Sequence, residues 1–288
     1  LERHSYGASW SDYDNDGDPD LVVTNNVNEL TDLFRNDRNG EFTRVSTSVV
    51  CYGITNGGGC SWADYDNDGD QDLFVASFSP GPSALYKNNG DGSFSGMYGH
   101  GLGVDLQSPG RASAGVWADY DNDGWIDLYC ANYENWEQHS YYPDRLWRNR
   151  QGTFVDATAA AGVVPPNDVD LAGRGVNWGD FNNDGYLDIM AAGEAATADG
   201  RGVFLFYNDR NGGFRDVSEL LPVTVKASCC ITLFDYNDDG DLDLMISGLR
   251  GGVTLLRNDG GNNNHFITMK LVGLKAGSAK NNHFGIGA

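Results

Sequence analysis

Five nonapeptides concentrate the chain's chemistry. They are Asp12-Tyr-Asp-Asn-Asp-Gly-Asp-Pro-Asp20, Asp64-Tyr-Asp-Asn-Asp-Gly-Asp-Gln-Asp72, Asp119-Tyr-Asp-Asn-Asp-Gly-Trp-Ile-Asp127, Asp180-Phe-Asn-Asn-Asp-Gly-Tyr-Leu-Asp188 and Asp235-Tyr-Asn-Asp-Asp-Gly-Asp-Leu-Asp243. Oxygen-bearing side chains at positions one, three and five converge when a backbone wraps around a point. A glycine at position six permits the sharp turn. Position seven can offer its backbone carbonyl, and the aspartate at position nine completes the shell. An all-oxygen, carboxylate-rich set of this kind suits Ca2+; Mg2+ demands a tighter octahedron and keeps its waters, and zinc prefers His or Cys. The turn-forming habit of Asn, Asp and Gly does not by itself call for carboxylates at positions one, three, five and nine together.

The candidate ligands are therefore Asp12, Asp14, Asp16, Asp18 and Asp20 in the first loop and Asp64, Asp66, Asp68, Asp70 and Asp72 in the second. The third offers Asp119, Asp121, Asp123, Trp125 through its carbonyl, and Asp127. The fourth offers Asp180, Asn182, Asp184, Tyr186 through its carbonyl, and Asp188; the fifth offers Asp235, Asn237, Asp239, Asp241 and Asp243. The expectation is about five calcium ions, one per loop. An EF-hand needs a bidentate Glu at position twelve and flanking helices. Here position twelve is Val23, Val75, Cys130, Ala191 or Ile246, each inside an apolar run, so the loops read as hairpin turns.

Other chemistry is scarce. His4, His100, His139, His265 and His283 lie outside the repeated elements, and no G-x-S-x-G, H-E-x-x-H or P-loop pattern occurs. With the paired carboxylates committed to the loops, no catalytic residue is nominated and the chain reads as non-catalytic. Cys51, Cys60, Cys130, Cys229 and Cys230 contain no C-x-x-C pair. A Cys51–Cys60 bridge, a strained bridge between Cys229 and Cys230, and free thiols all stay open.

The net charge of −22, from 41 acidic and 19 basic residues, disfavours nucleic acid as a partner. Just over half of the acids sit inside the nonapeptides, so the charge is a clustering for cations more than a general surface property. No stretch reaches the roughly 20 apolar residues of a membrane span, and the chain reads as not membrane-embedded. It opens on Leu1 without a Met, which reads as a mature or excised fragment.

The loops are one element of a longer repeat. Their starts lie 52, 55, 61 and 55 residues apart. Each is followed by an apolar run (Leu21-Val-Val, Leu73-Phe-Val, Leu128-Tyr-Cys, Ile189-Met-Ala, Leu244-Met-Ile) and then by a Leu-x-x-Asn element ending at Asn36, Asn88, Asn149, Asn208 or Asn258. Four copies add a Gly-x-Phe with Phe42, Phe94, Phe154 and Phe214. Short β-rich runs bounded by Asn, Asp and Gly read as strands, four per repeat, and helical periodicity is confined to Ala157–Ala161. Four-stranded units at 40 to 60 residues predict an all-β β-propeller of antiparallel blades. The blades span about 5–50, 57–108, 112–160, 173–222 and 227–258. Whether five make a whole propeller or part of a larger one stays open.

These repeats resemble the FG-GAP/VCBS repeats, the calcium-binding blades of integrin α-subunit propellers, over roughly residues 5–258. The tail, Asn262-Asn-Asn-His-Phe-Ile-Thr-Met-Lys-Leu-Val-Gly-Leu274 and Phe284-Gly-Ile-Gly-Ala288, resembles the start of the ASPIC/UnbV segment that follows such repeats in the cartilage-acidic-protein-like family. That resemblance implies a fragment of a longer protein, secreted or at the cell surface. It sets a boundary at 258, with 259–288 as the tail segment and residues 266–272 as candidates for the last blade's fourth strand.

The implied function is an extracellular, calcium-stabilised binding, adhesion or structural module with a protein or glycan partner. A carbohydrate-active enzyme on the propeller and a fibre- or surface-layer-forming, self-assembling subunit are the alternatives. The insertion 131–145 carries Tyr133, Trp136, His139, Tyr141 and Tyr142, and its aromatics are the candidate recognition surface. A second insertion, 162–174, contains Pro165-Pro166 and reads as a connector.

Overall fold

The computed structural model describes residues 4–26, 28–54, 56–78, 83–97, 111–133, 143–163, 171–195, 202–222, 228–248 and 252–260. The fold is all-β, a β-propeller of five antiparallel sheets. The first sheet runs β1 (Ser5–Ser11), β2 (Asp20–Asn25), β3 (Asp32–Asn36) and β4 (Phe42–Arg44). The second runs β5 (Gly57–Ala63), β6 (Asp72–Ser77), β7 (Ala84–Asn88) and β8 (Phe94–Met97). The third has β9 (Arg111–Ala118), β10 (Asp127–Tyr133), β11 (Arg145–Arg150) and β12 (Thr153–Asp156). The fourth has β13 (Leu171–Gly179), β14 (Asp188–Ala195), β15 (Val203–Asn208) and β16 (Phe214–Asp216). Among the described residues the fifth has three strands, β17 (Ser228–Phe234), β18 (Asp243–Gly248) and β19 (Gly252–Leu256).

Each acidic nonapeptide joins the first strand of a sheet to the second. Register fixes its mouth: Ser11 faces Asp20, Ala63 faces Asp72, Ala118 faces Asp127, Gly179 faces Asp188 and Phe234 faces Asp243. The second strands Asp72–Ser77 and Asp127–Tyr133 are buried on both faces and read as continuous apolar runs, whereas Asp20–Asn25 alternates buried and half-buried and Asp243–Gly248 exposes Met245. A blade packed on both faces needs neighbours, which is why the repeat recurs.

The chain divides into two compact units, one built mainly on Leu1–Gln107 and the other on Ser108–Arg150 with Phe154–Ile267. In the first, Tyr13, Val22, Leu33, Leu73, Tyr86 and Phe94 form one core cluster. In the second, Tyr120, Leu146, Val176, Ile189 and Phe214 form one, and Phe181, Met190, Leu205, Leu244 and Ile246 another.

The expected helical patch is α2, Thr158–Ala161, closed by Gly162 in the left-handed region. Two further turns were not expected from periodicity: α1, Val50–Gly53, and a 3-10 turn, Ser218–Leu220. All three follow the fourth strand of a sheet. Their buried residues, Val50 and Cys51 in one case and Ser218 in another, show that packing rather than helix propensity creates them. Cys51, Cys60, Cys130 and Cys230 are free thiols. Among the described residues no helix is long and apolar enough to cross a membrane.

Candidate metal-binding loops

Within each nonapeptide the backbone is folded around its own carboxylates. The position-one aspartate accepts the amides of positions five and six: Asp16 N and Gly17 N donate to Asp12 Oδ1 and Oδ2 at 3.0 and 2.9 Å. Asp68 N and Gly69 N bind Asp64 in the same way at 3.0 and 2.9 Å. Asp119, Asp180 and Asp235 repeat the arrangement. Position five then accepts the amide of position seven, as Asp18 N donates to Asp16 Oδ1 at 3.0 Å.

Two residues in each loop pay a conformational cost that the sequence reflects. Glycine six lies at φ of 87–95° in all five loops. Position four is also left-handed, with Asn15, Asn67, Asn122, Asn183 and Asp238 at φ of 53–59°. Asn and Asp tolerate that region best among residues with a side chain.

Position nine is fully buried at Asp20, Asp72, Asp127, Asp188 and Asp243. Its two oxygens are divided between two backbone amides. Tyr13 N donates to Asp20 Oδ2 at 3.1 Å and Asn36 N to Asp20 Oδ1 at 2.8 Å. Tyr65 and Asn88 do the same for Asp72, Tyr120 and Asn149 for Asp127, Phe181 and Asn208 for Asp188, and Tyr236 and Asn258 for Asp243. The asparagine of the Leu-x-x-Asn element is thus a positioning residue for the loop. Sequence reading singled it out as a repeat mark without seeing this role.

Position three of the first three loops presents one oxygen without a donor. Asp14 Oδ1, Asp66 Oδ1 and Asp121 Oδ1 are buried and accept no hydrogen bond. Carboxylate atoms of Asp12, Asp14 and Asp20 lie within 4.8 Å of one another, as do those of Asp64, Asp66 and Asp72 and of Asp119, Asp121 and Asp127. A buried carboxylate oxygen without a donor is costly, and three in register mark where a cation fits. Burial pushes Asp20 and Asp188 up to about 7 and Asp72 and Asp127 up to about 8. Burial also raises Asp12, Asp14, Asp64 and Asp121. A bound cation reverses that logic by favouring the ionised form.

Basic side chains lie beside several loops. Lys87 pairs with Asp66 and, at 2.8 Å, with Asp68. Arg148 pairs with Asp121 at 2.5 Å and Asp123 at 3.2 Å. Arg210 reaches Asp184 at 3.0 Å. Position seven turns its side chain to other partners: Arg38 Nε donates to Asp18 at 2.5 Å, Asn15 Nδ2 to Asp70 at 2.7 Å and Asn183 Nδ2 to Asp241 at 2.6 Å.

The aromatic insertion is corrected at one residue. Tyr133 is the last residue of β10, is buried, and has the Arg174 guanidinium 4.4 Å from its ring centroid. It is packed within the second unit and is no exposed recognition residue. Trp136, His139, Tyr141 and Tyr142 lie outside the described residues.

Repeated hairpin-borne acidic loops on propeller blades define the class. FG-GAP-like repeats match at residues 12–75, 64–130 and 119–191, more than half the chain, and the chain belongs to that family. Among curated relatives it is 28% identical to cartilage acidic protein 1 of Homo sapiens over 216 residues, covering 66% of this chain and 30% of that protein. It is 25% identical to cartilage acidic protein 1 of Xenopus tropicalis over 276 residues, covering 86% of this chain and 40% of that protein. The chain thus spans less than half the length of these relatives. Among solved structures, the V. cholerae biofilm matrix protein Bap1 is similar with a TM-score of 0.44 and 14% identity, over 90% of this chain and 38% of that one.

Proposed function

We propose that this chain is an extracellular β-propeller stabilised by about five calcium ions, acting as a non-catalytic binding, adhesion or structural module. The observation that carries the reading is the set of inward, donor-less oxygens of Asp14, Asp66 and Asp121, each grouped with two further carboxylates within 4.8 Å. The ligand set is that of positions one, three, five and nine plus the carbonyl of position seven. Asn182 and Asn237 supply amide oxygens at position three of the fourth and fifth loops. Oxygen-only donors favour calcium over zinc. Extracellular modules bind calcium at about 10⁻⁴–10⁻³ M, a level that keeps permanent structural sites filled outside cells.

The non-catalytic reading is supported by the use of the loop carboxylates as acceptors for backbone amides. Those groups are tied to holding the loop and are poor candidates for moving protons. The similarity to cartilage acidic protein 1 supports an extracellular setting. Calorimetric titration of chelated protein with CaCl2 tests the cation reading. The expected result is several sites and a rise in Tm, because a ligand held only by the native state stabilises it. No heat and an unchanged Tm would overturn it.

A further inference from the structure

The first two loops carry one ligand set in two electrostatic settings. Asp12-Tyr-Asp-Asn-Asp-Gly-Asp and Asp64-Tyr-Asp-Asn-Asp-Gly-Asp are identical through position seven, and both loops end on Asp at position nine. Each repeat then places a basic residue immediately before the asparagine of its Leu-x-x-Asn element, Arg35 in the first and Lys87 in the second. The two hold the same register: Arg35 lies opposite Thr43 of β4 and Lys87 opposite Ser95 of β8. Yet they go to different acids. Lys87 enters its loop and pairs with Asp66 and, at 2.8 Å, with Asp68. Arg35 pairs instead with Asp37, through Nε and a terminal guanidinium nitrogen, both at 2.8 Å.

The residue after the asparagine accounts for the difference. It is Asp37 in the first repeat and Asn89 in the second. Both are exposed, and both are held from the fourth strand by a hydroxyl, Thr43 Oγ1 on Asp37 Oδ2 and Ser95 Oγ on Asn89 Oδ1. Shape and anchoring are alike, and charge separates them. A carboxylate holds a neighbouring cation more strongly than a neutral amide does. Two other repeats follow the same rule. Arg148 is followed, past Asn149, by the cation Arg150, and it enters its loop, pairing with Asp121 at 2.5 Å and Asp123 at 3.2 Å. Arg257 is followed, past Asn258, by Asp259 and pairs with that carboxylate. The fourth repeat has Tyr207 in place of the base, and there Arg210 reaches position five, Asp184, at 3.0 Å. Arg38 holds the equivalent place in the first repeat. It binds the Asp18 side chain and the Asp16 carbonyl, with its guanidinium 4.0 Å from the Asp16 carboxylate.

We infer that the residue after the asparagine sets how readily each loop loads. Asp37 and Asp259 hold the preceding base outside the loop and leave the loop carboxylates open to an ion. Asn89 and Arg150 leave Lys87 and Arg148 on positions three and five, where each is a resident counter-cation that an entering ion must displace. The first loop therefore fills at lower calcium than the second, although their ligands are the same. The inference rests on the calcium reading and adds an order of filling to it.

Titration of the full chain, isotopically labelled at glycine, with CaCl2 tests it by NMR. The amides of Gly17 and Gly69 lie inside the two loops, bound to Asp12 and Asp64, and report each site separately. Loss of one response in Asp14→Ala and of the other in Asp66→Ala assigns the two signals. Gly17 is expected to shift at roughly fivefold lower free calcium than Gly69. Asn89→Asp should lower the Gly69 midpoint by a similar factor, and Asp37→Asn should raise the Gly17 midpoint. Both substitutions change an exposed turn residue. In a Lys87→Gln background, Asn89→Asp should leave the Gly69 midpoint where it is. An equal shift there would mean that the new carboxylate acts by its own charge, and would overturn the inference. So would a common midpoint for the two glycines that neither turn variant moves. Failure of both glycines to respond in the parent is a different result: it would remove the calcium reading itself, and this inference with it.

Discussion

Asn88 binds Asp72 with its backbone and the preceding repeat with its side chain. Its amide donates to Asp72 Oδ1 at 2.8 Å, and its Nδ2 donates to the carbonyl of Tyr13 at 2.7 Å and of Gln71 at 3.2 Å. The same pair of roles is held by Asn208, with Asp188 and the carbonyl of Tyr120, and by Asn258, with Asp243 and the carbonyl of Phe181. One residue type therefore joins a blade's own acidic loop to the loop of the blade before it. Loop geometry and blade packing are parts of one hydrogen-bond network.

Replacing Asn88 by Ala leaves two carbonyls and the Gly90 amide without their partner. Each buried group so stranded costs about 1–3 kcal/mol. We expect urea denaturation of Asn88→Ala to show a loss of roughly 2–4 kcal/mol, and Asn88→Asp to do no better, because it offers an acceptor to two carbonyls. A variant as stable as the parent would show that the packed rings alone hold the repeats in place.

On the proposed ligand set, position three is a ligand alone, whereas position nine is both ligand and scaffold. Asp66 offers a buried oxygen without a donor, whereas Asp72 satisfies two backbone amides. Asp66→Ala should lose one bound ion by calorimetry and, in excess chelator, lie within about 1 kcal/mol of the parent. Asp72→Ala should lose the ion as well and, unlike Asp66→Ala, cost about 2–4 kcal/mol in chelator too, because two backbone amides lose their acceptor. Equal behaviour of the two variants in chelator would remove the distinction.

Much of this was legible in the sequence because the chemistry repeats. Asp at positions one and nine and Gly at six stood out, and the structure gives each a backbone task. Position four was less legible: Asn15 and its equivalents hold a left-handed backbone, which a list of oxygen donors does not reveal. Tyr133 was misread because an aromatic beside an irregular segment carries no mark of whether its strand continues. α1 was missed because Val50 and Cys51 enter a helical turn to be buried, against their local preference. The basic residues were unreadable for another reason. Lys87 lies far in sequence from Asp66 and only the β6–β7 hairpin brings them together.

Lys87 stands where a cation's charge is wanted. Its ammonium offsets the crowding of Asp66 and Asp68. Removing one positive charge beside a cation site should favour the ion by about 1 kcal/mol, roughly fivefold in affinity. Lys87→Gln is therefore expected to bind calcium more tightly at the second loop and to melt lower than the parent in chelator. Weaker calcium binding in the variant would mean that Lys87 organises the loop rather than competing for it.

Asp144 gives a pH dependence that does not involve the loops. It is fully enclosed between β10 and β11, where Tyr129 Oη donates to Oδ2 at 3.0 Å and Asn132 N to Oδ1 at 2.7 Å. Burial pushes it up to about 7, only partly opposed by those two donors. An unfolded aspartate titrates near 3.9, so the folded state holds the extra proton between those values. Stability from this group is fully present below about pH 4 and is lost as pH rises through about 7, with a slope that favours acid. Asp144→Asn keeps an acceptor for the Asn132 amide and never ionises. It should come closest to the parent near pH 4 and exceed it at pH 8 by on the order of 4 kcal/mol. Denaturation at the two pH values, at fixed calcium, reads the difference directly. A variant whose gap from the parent is the same at both would place the Asp144 titration back in the ordinary aspartate range.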